Sequence, residues 1–256
     1  MIDRSVSESA RAWLSSLVVF AALSVPCLAA NPGSPSPVLV ELFTSEGCSS
    51  CPPADRLLAQ IDRSQPIADA HVIVLSEHVD YWNSLGWQDP YSSHRWSERQ
   101  NSYAERFGLE SVYAPQMVVN GKHQVSGNDP SAVREAIRQA TSSPRTSISI
   151  GDLHQIGEHL EIGYSADAAP HTSLFAVLAD ASDRSSVERG ENAGRTLDHV
   201  AVARTLARVA PLNGTLVNQT FDIALPLNNK GRPLRLILFA QNEATGAIVG
   251  VAERGL

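Results

Sequence analysis

Two cysteines, Cys48 and Cys51, stand three apart in "TSEGCSSCPPAD" (Thr44–Asp55). The spacing admits three chemistries: a dithiol that exchanges with other disulfides, part of a metal grip, or a structural bridge. A bridge spanning two intervening residues constrains the unfolded chain very little, so a staple is the weakest of the three. No second pair of this spacing exists, which removes the common structural-zinc reading. Exchange has positive support from the flanks. "VLVELF" (Val38–Phe43) reads as an apolar strand, and "PPADRLLAQI" (Pro52–Ile61) as a helix whose prolines suit the first turn. Cys48 then sits at a helix N-terminus, where unpaired amides and the helix dipole favour a thiolate. That assigns Cys48 as the nucleophile and Cys51, one turn into the helix, as the thiol that resolves a mixed disulfide.

The immediate neighbours cut both ways. Ser49 and Ser50 either donate to a Cys48 thiolate or merely suit a helix start, while Glu46 would oppose a thiolate if it faced one. "SEHVDYWNSLGW" (Ser76–Trp87) leaves the end of a second predicted strand, His71–Val79. There Glu77, His78 and Asp80 either transfer protons during exchange or complete a metal site with the two thiolates, with His78 and Asp80 the leading candidates. The plainer alternative is a strand end with polar contacts, with Tyr81, Trp82 and Trp87 packed beneath a lid as ordinary core. The insertion from Asn83 to Gly108 is long and polar and can cover the site. Far along the chain, "ERGENAGRTLDH" (Glu188–His199) reads either as a loop facing the dithiol or as a turn held by its own side chains, with His199 at a strand edge.

The elements that position these residues have two rhythms. Strands and helices alternate first: Ser92–Gly108 reads as a polar helix, Asn120–Gly121 as a hairpin turn, and Asp129–Ala140 as a helix capped by Asp129 with Pro130 at its first position. From about Ser142 short strand candidates dominate, separated by turn-rich pieces such as "NNKGRP"; "HVAVARTLARV" is left open between helix and strand. At the N-terminus, the apolar run Leu14–Val25 followed by "PCLAAN" reads as a signal peptide, residues 1–30, and "NPGSPSP" as a tether, residues 31–37. A periplasmic or secreted chain follows, and its only two remaining cysteines would be free to pair. With 256 residues, 43% apolar and 18% charged, the chain can build a sizeable core, and a formal charge of −7 argues against a nucleic-acid partner. No apolar stretch is long enough to span a membrane.

"YAPQMVV" adds Ala114 and Pro115 just ahead of a predicted strand. With that, residues Val38 to Ala140 resemble the thioredoxin-like superfamily. "ELFTSEGCSSCPPAD", "SEHVDYWNSLGW", "YAPQMVVNG" and "GENAGRTLDHVAVAR" together resemble one secreted bacterial family, catalogued as domain of unknown function 1223, over nearly the whole mature chain. The superfamily resemblance implies a cis Pro115 beside the dithiol and an Ala114 backbone that orients a bound peptide. Ser49–Ser50 departs from the better-known residue pairs between the cysteines, and Gly47 stands where an aromatic is usual. The expected architecture is α/β: a thioredoxin-like core with a helical insertion (38–141), then a mainly antiparallel, β-sandwich-like half (142–256). The expected function is exported thiol–disulfide exchange with protein or peptide disulfides and thiols. It would need no cofactor and no metal, and a separate redox partner protein would supply or remove electrons. The alternative is a non-catalytic docking or metal-binding protein on the same fold.

Overall fold

The computed structural model describes residues 35–143, 145–226 and 231–256; the stretch read as a signal peptide and most of that read as a tether lie outside them. β1 (Ser36–Thr44) is buried along almost its whole length and begins inside the stretch read as tether. α1 (Pro52–Ser64) follows with prolines in its first turn, and Ala54, Asp55, Leu58 and Ile61 form its buried stripe. β2 (Ala70–His78) pairs parallel to β1 in register from Ser36↔Ala70 to Thr44↔His78. A short 3-10 turn, Tyr81–Leu85, leads to α2 (His94–Phe107), which is capped by the Ser93 side chain and stopped by Gly108 at φ +65°. β3 (Gln116–Val119) lies antiparallel to β1, and β4 (His123–Ser126) returns through Asn120 and Gly121, both at positive φ as a tight hairpin demands. α3 (Pro130–Ala140) is capped by Asp129, whose carboxylate accepts from Ser131 N and Ala132 N.

Every element after α3 is a strand: β5 (Ile148–Ile156), β6 (His159–Ala166), β7 (Thr172–Ser186), β8 (Thr196–Pro211), β9 (Leu216–Ala224), β10 (Leu234–Asn242) and β11 (Ile248–Gly255). The segment left open between helix and strand is therefore strand, part of β8. The fold is mixed α/β, with more of its described residues in strands than in helices. One eight-stranded sheet, ordered β11-β10-β7-β8-β2-β1-β3-β4, runs through both halves of the chain. Its seam is a single parallel bridge, Ser76↔Val202, between β2 and β8. The smaller sheet, β5-β6-β9, packs Leu160, Ile162 and Tyr164 against Leu174, Leu178 and Leu236 of the larger one. No helix of the described residues is long and apolar enough to cross a membrane.

Strand alternation decides which side chains reach which layer. Leu42 and Thr44 of β1 face α1, while Glu41 and Phe43 face α2. On the α2 side, Arg99 Nε donates to Glu41 Oε1 (2.7 Å), and Tyr103 Oη donates to Glu41 Oε2 (2.7 Å) and accepts from Gln241 Nε2 (3.0 Å). Glu77 is buried in this cluster, 3.3 Å from Arg99 Nε, and burial first, then the neighbouring Glu41, hold its carboxyl well above the usual range. The β10–β11 turn closes onto the β3–β4 turn, where Ile248 N donates to Asn120 O (2.8 Å). A Cβ on Gly121 would stand 2.0 Å from Gly246 O, so only glycine allows that approach.

Candidate functional site

Cys48 and Cys51 are bonded, with the sulfurs 2.14 Å apart, where the loop after β1 enters α1. Backbone bonds from Cys48 N to Ser45 O and from Cys51 N to Cys48 O (both 3.2 Å) wind this loop. Ser50 Oγ lies 3.3 Å from Cys48 Sγ, and Ser49 and Ser50 are exposed. The Ala114–Pro115 peptide bond is cis, and Ala114 O lies 3.9 Å from Cys48 Sγ. The CxxC segment and the residues before β3 thus meet at one place. Neither cysteine has any exposed surface.

Behind the bridge lies a buried acid–imidazole network drawn from four parts of the chain. Asp55, one turn beyond Cys51, accepts from Thr44 Oγ1 (2.9 Å). Burial raises its pKa, and His199 and His78 offset only part of that rise. His78 Nδ1 lies 2.7 Å from Asp89 Oδ2. Burial alone would lower the His78 pKa, but Asp89, Asp55 and Glu46 together bring it above the ordinary value. Burial would likewise raise Asp89; His78 and the amides of Glu46 and Tyr91 bring it below. The Glu46 carboxylate is bonded to Trp87 Nε1 (2.8 Å), His199 Nε2 (3.2 Å) and the Ser185 hydroxyl. The two imidazoles meet edge to face, 4.8 Å between centroids, and His78 Nε2 and His199 Nδ1 have no hydrogen-bond partner among the described residues.

The cover over this site comes from two directions. Trp82 sits on Gly47, whose Cβ would lie 3.3 Å from Trp82 O. From the β7–β8 connection, Asn192 Nδ2 donates to Glu46 O (2.8 Å) and Cys48 O (2.9 Å), and Glu191 Oε2 accepts from Ser49 N (2.9 Å). The glycine-rich loop therefore faces the cysteines, and it also makes a local bond, Arg195 Nη1 to Asn192 Oδ1 (2.7 Å).

Of the candidates read from sequence, Cys48, Cys51, Ala114 and Pro115 come together, with His78 in the layer beneath. Asp80 does not join them. Its carboxylate accepts from Ser97 Oγ (2.5 Å) and lies 3.2 Å from His94 Nδ1, both on α2. Glu77 points to the opposite sheet face, as strand alternation requires of a residue next to His78. His199 is not at a strand edge, because β8 is interior to the sheet and the residue is buried. Among the described residues no three His, Cys, Asp or Glu side chains are grouped to hold a metal ion. Asp55 and Asp89 were missed. Asp55 has a readable signal, a carboxylate inside the apolar stripe of α1; Asp89 has none.

The model for a family described as a protein of unknown function, DUF1223, matches residues 39–241. This chain belongs to that family. Among solved structures, the DUF1223 chain is similar to protein AGR_C_4864 from Agrobacterium tumefaciens at 28% identity and a TM-score of 0.59, over 84% of this chain and 92% of the other. It also shares its fold with HBP35 of Porphyromonas gingivalis, at 14% identity and a TM-score of 0.58, over 88% and 76% of the two chains. Among curated proteins none matches.

Proposed function

We propose that this DUF1223 chain is an exported thiol–disulfide exchange protein built on a thioredoxin-like core. The observation that carries the reading is the meeting of the Cys48–Cys51 pair at the start of α1 with Ala114 O, 3.9 Å from Cys48 Sγ, above a buried carboxyl group. In the reduced form, the Cys48 thiolate attacks a partner disulfide, joins one partner sulfur and expels the other as a thiolate. Cys51 then attacks Cys48 Sγ, closes the bridge and expels the second sulfur. Two electrons pass from the dithiol to the partner, whose two sulfurs end as thiols. The oxidised form runs the same steps backward. Asp55, one helical turn from Cys51 and with its pKa raised by burial, is assigned the proton exchange with that thiol. The partners are protein or peptide disulfides and thiols, and a separate redox protein restores the starting state. Export rests on the residue pattern of 1–30.

Trapping tests the roles. Cys51→Ser accumulates mixed disulfides with a model peptide disulfide, while Cys48→Ser forms none and abolishes turnover. Full turnover by Cys48→Ser would overturn the mechanism.

One observation favours a second reading, a partner-docking protein with an inert bridge: both cysteines lack exposed surface. Such a bridge resists the reductants that open exchange proteins.

A further inference from the structure

We infer that the loop Val187–Arg195 is a gate latched over the bridge by Asn192, and that the partner which opens it is an extended polypeptide chain. The choice of partner rests on the exchange reading; the gate does not. Exchange requires an attacking thiolate to reach a sulfur. Here the loop carrying the bridge is at the surface, with Ser49 and Ser50 exposed, yet the sulfurs beneath are shut in. The shutter is a piece of chain remote in sequence. Asn192, itself 1% exposed, spends both amide hydrogens on Glu46 O and Cys48 O, and Glu191 takes Ser49 N.

This gate is attached by few bonds. Of residues 187–195 only Val187 and Asn192 are buried, so opening it forfeits little apolar burial. Gly190 and Gly194, at φ +77° and +78°, flank the latch and supply backbone freedom on either side of it. Lifting the loop leaves Glu46 O and Ser49 N without these partners and Cys48 O with only its bond from Cys51 N, at a cost in unmade hydrogen bonds. An extended main chain carries donors and acceptors of that kind and can replace the lost bonds, as strand-like peptide ligands do elsewhere. A small thiol replaces far fewer of them.

The test is the rate of bridge reduction, followed by thiol trapping and mass. A dithiothreitol thiolate attacks one cysteine sulfur and expels the other as a thiolate. Its second thiol then closes the reagent's own ring, so two electrons and two protons pass to the cysteines. Asn192→Asp keeps the shape and the acceptor for Arg195 but removes both donations, and is expected to speed reduction about tenfold, the effect of losing roughly one well-made buried hydrogen bond. Glu191→Ala, an exposed position, is expected to give about threefold and carries the test if Asn192→Asp fails to fold. On the unaltered protein, an unstructured cysteine-bearing peptide should outpace glutathione, and Asn192→Asp should shrink that gap. Rates unchanged in both variants overturn the gate. Equal rates for peptide and glutathione overturn the polypeptide partner. The equilibrium potential, measured separately, reports on exchange itself: a very low potential with a faster Asn192→Asp sinks the exchange reading and upholds the gate.

Discussion

Asp89 does two jobs: it holds His78 through Oδ2 and takes the Glu46 amide 2.8 Å away, tying the insertion after β2 to the cysteine loop. Both partners of the ion pair are buried, so its contribution depends on pH at two ends. Asp89 is depressed below 3.8, so its share is present above that value and lost as pH falls through its folded pKa. His78 is raised above 6.5, so its share is present below that value and lost as pH rises through its folded pKa. Asp89→Asn should therefore lower stability most between those two ordinary values, by on the order of 3 kcal/mol. The deficit should narrow toward acid and toward alkali. Denaturant unfolding across pH checks this, and a deficit constant with pH would refute the ion pair. None of this pairing is legible locally. His78 ends β2 and Asp89 lies in the loop before α2, and only the folded insertion brings them together.

At the scale of elements, the sequence is readable wherever the signal is local. Asp129, the prolines of α1 and α3, Gly108 and Asn120–Gly121 mark helix and turn boundaries by their own backbone chemistry, and the structure uses each as such. What escapes is the stacking of elements. Gly127, in the loop after β4, shows it: a Cβ there would lie 2.9 Å from Ala54 Cβ, 3.1 Å from Pro115 Cβ and 3.3 Å from Leu42 Cδ1. This glycine lets the loop close over the start of α1 beside Pro115, and Gly127 N donates to Pro115 O (3.0 Å). Gly127→Ala should cost about 1–3 kcal/mol, because two of the three contacts are stiff groups. It should also speed thiol access, since the loop must shift. A thermal midpoint equal to that of the unaltered protein would show the packing to be looser than described.

Over the whole molecule, the change of rhythm near residue 142 marks a change of element type, while the sheet continues across it. β8 enters beside β2 through one bridge and carries His199 to Glu46; the β7–β8 connection carries Glu191 and Asn192 to the cysteine loop. Those contacts span well over a hundred residues, and periodicity holds no information about them. The C-terminal half therefore does more than support the core. It completes the acid–imidazole network and closes the cover over the bridge. Whether this covered bridge is a working dithiol, as proposed, is decided by its reduction potential. Equilibration of the purified protein in dithiothreitol and glutathione buffers, with thiol trapping and mass readout, gives the value. A working dithiol should have a potential within the span of exchange proteins, about −120 to −270 mV. A value far below about −300 mV would contradict it and mark the pair as a bridge that stays closed.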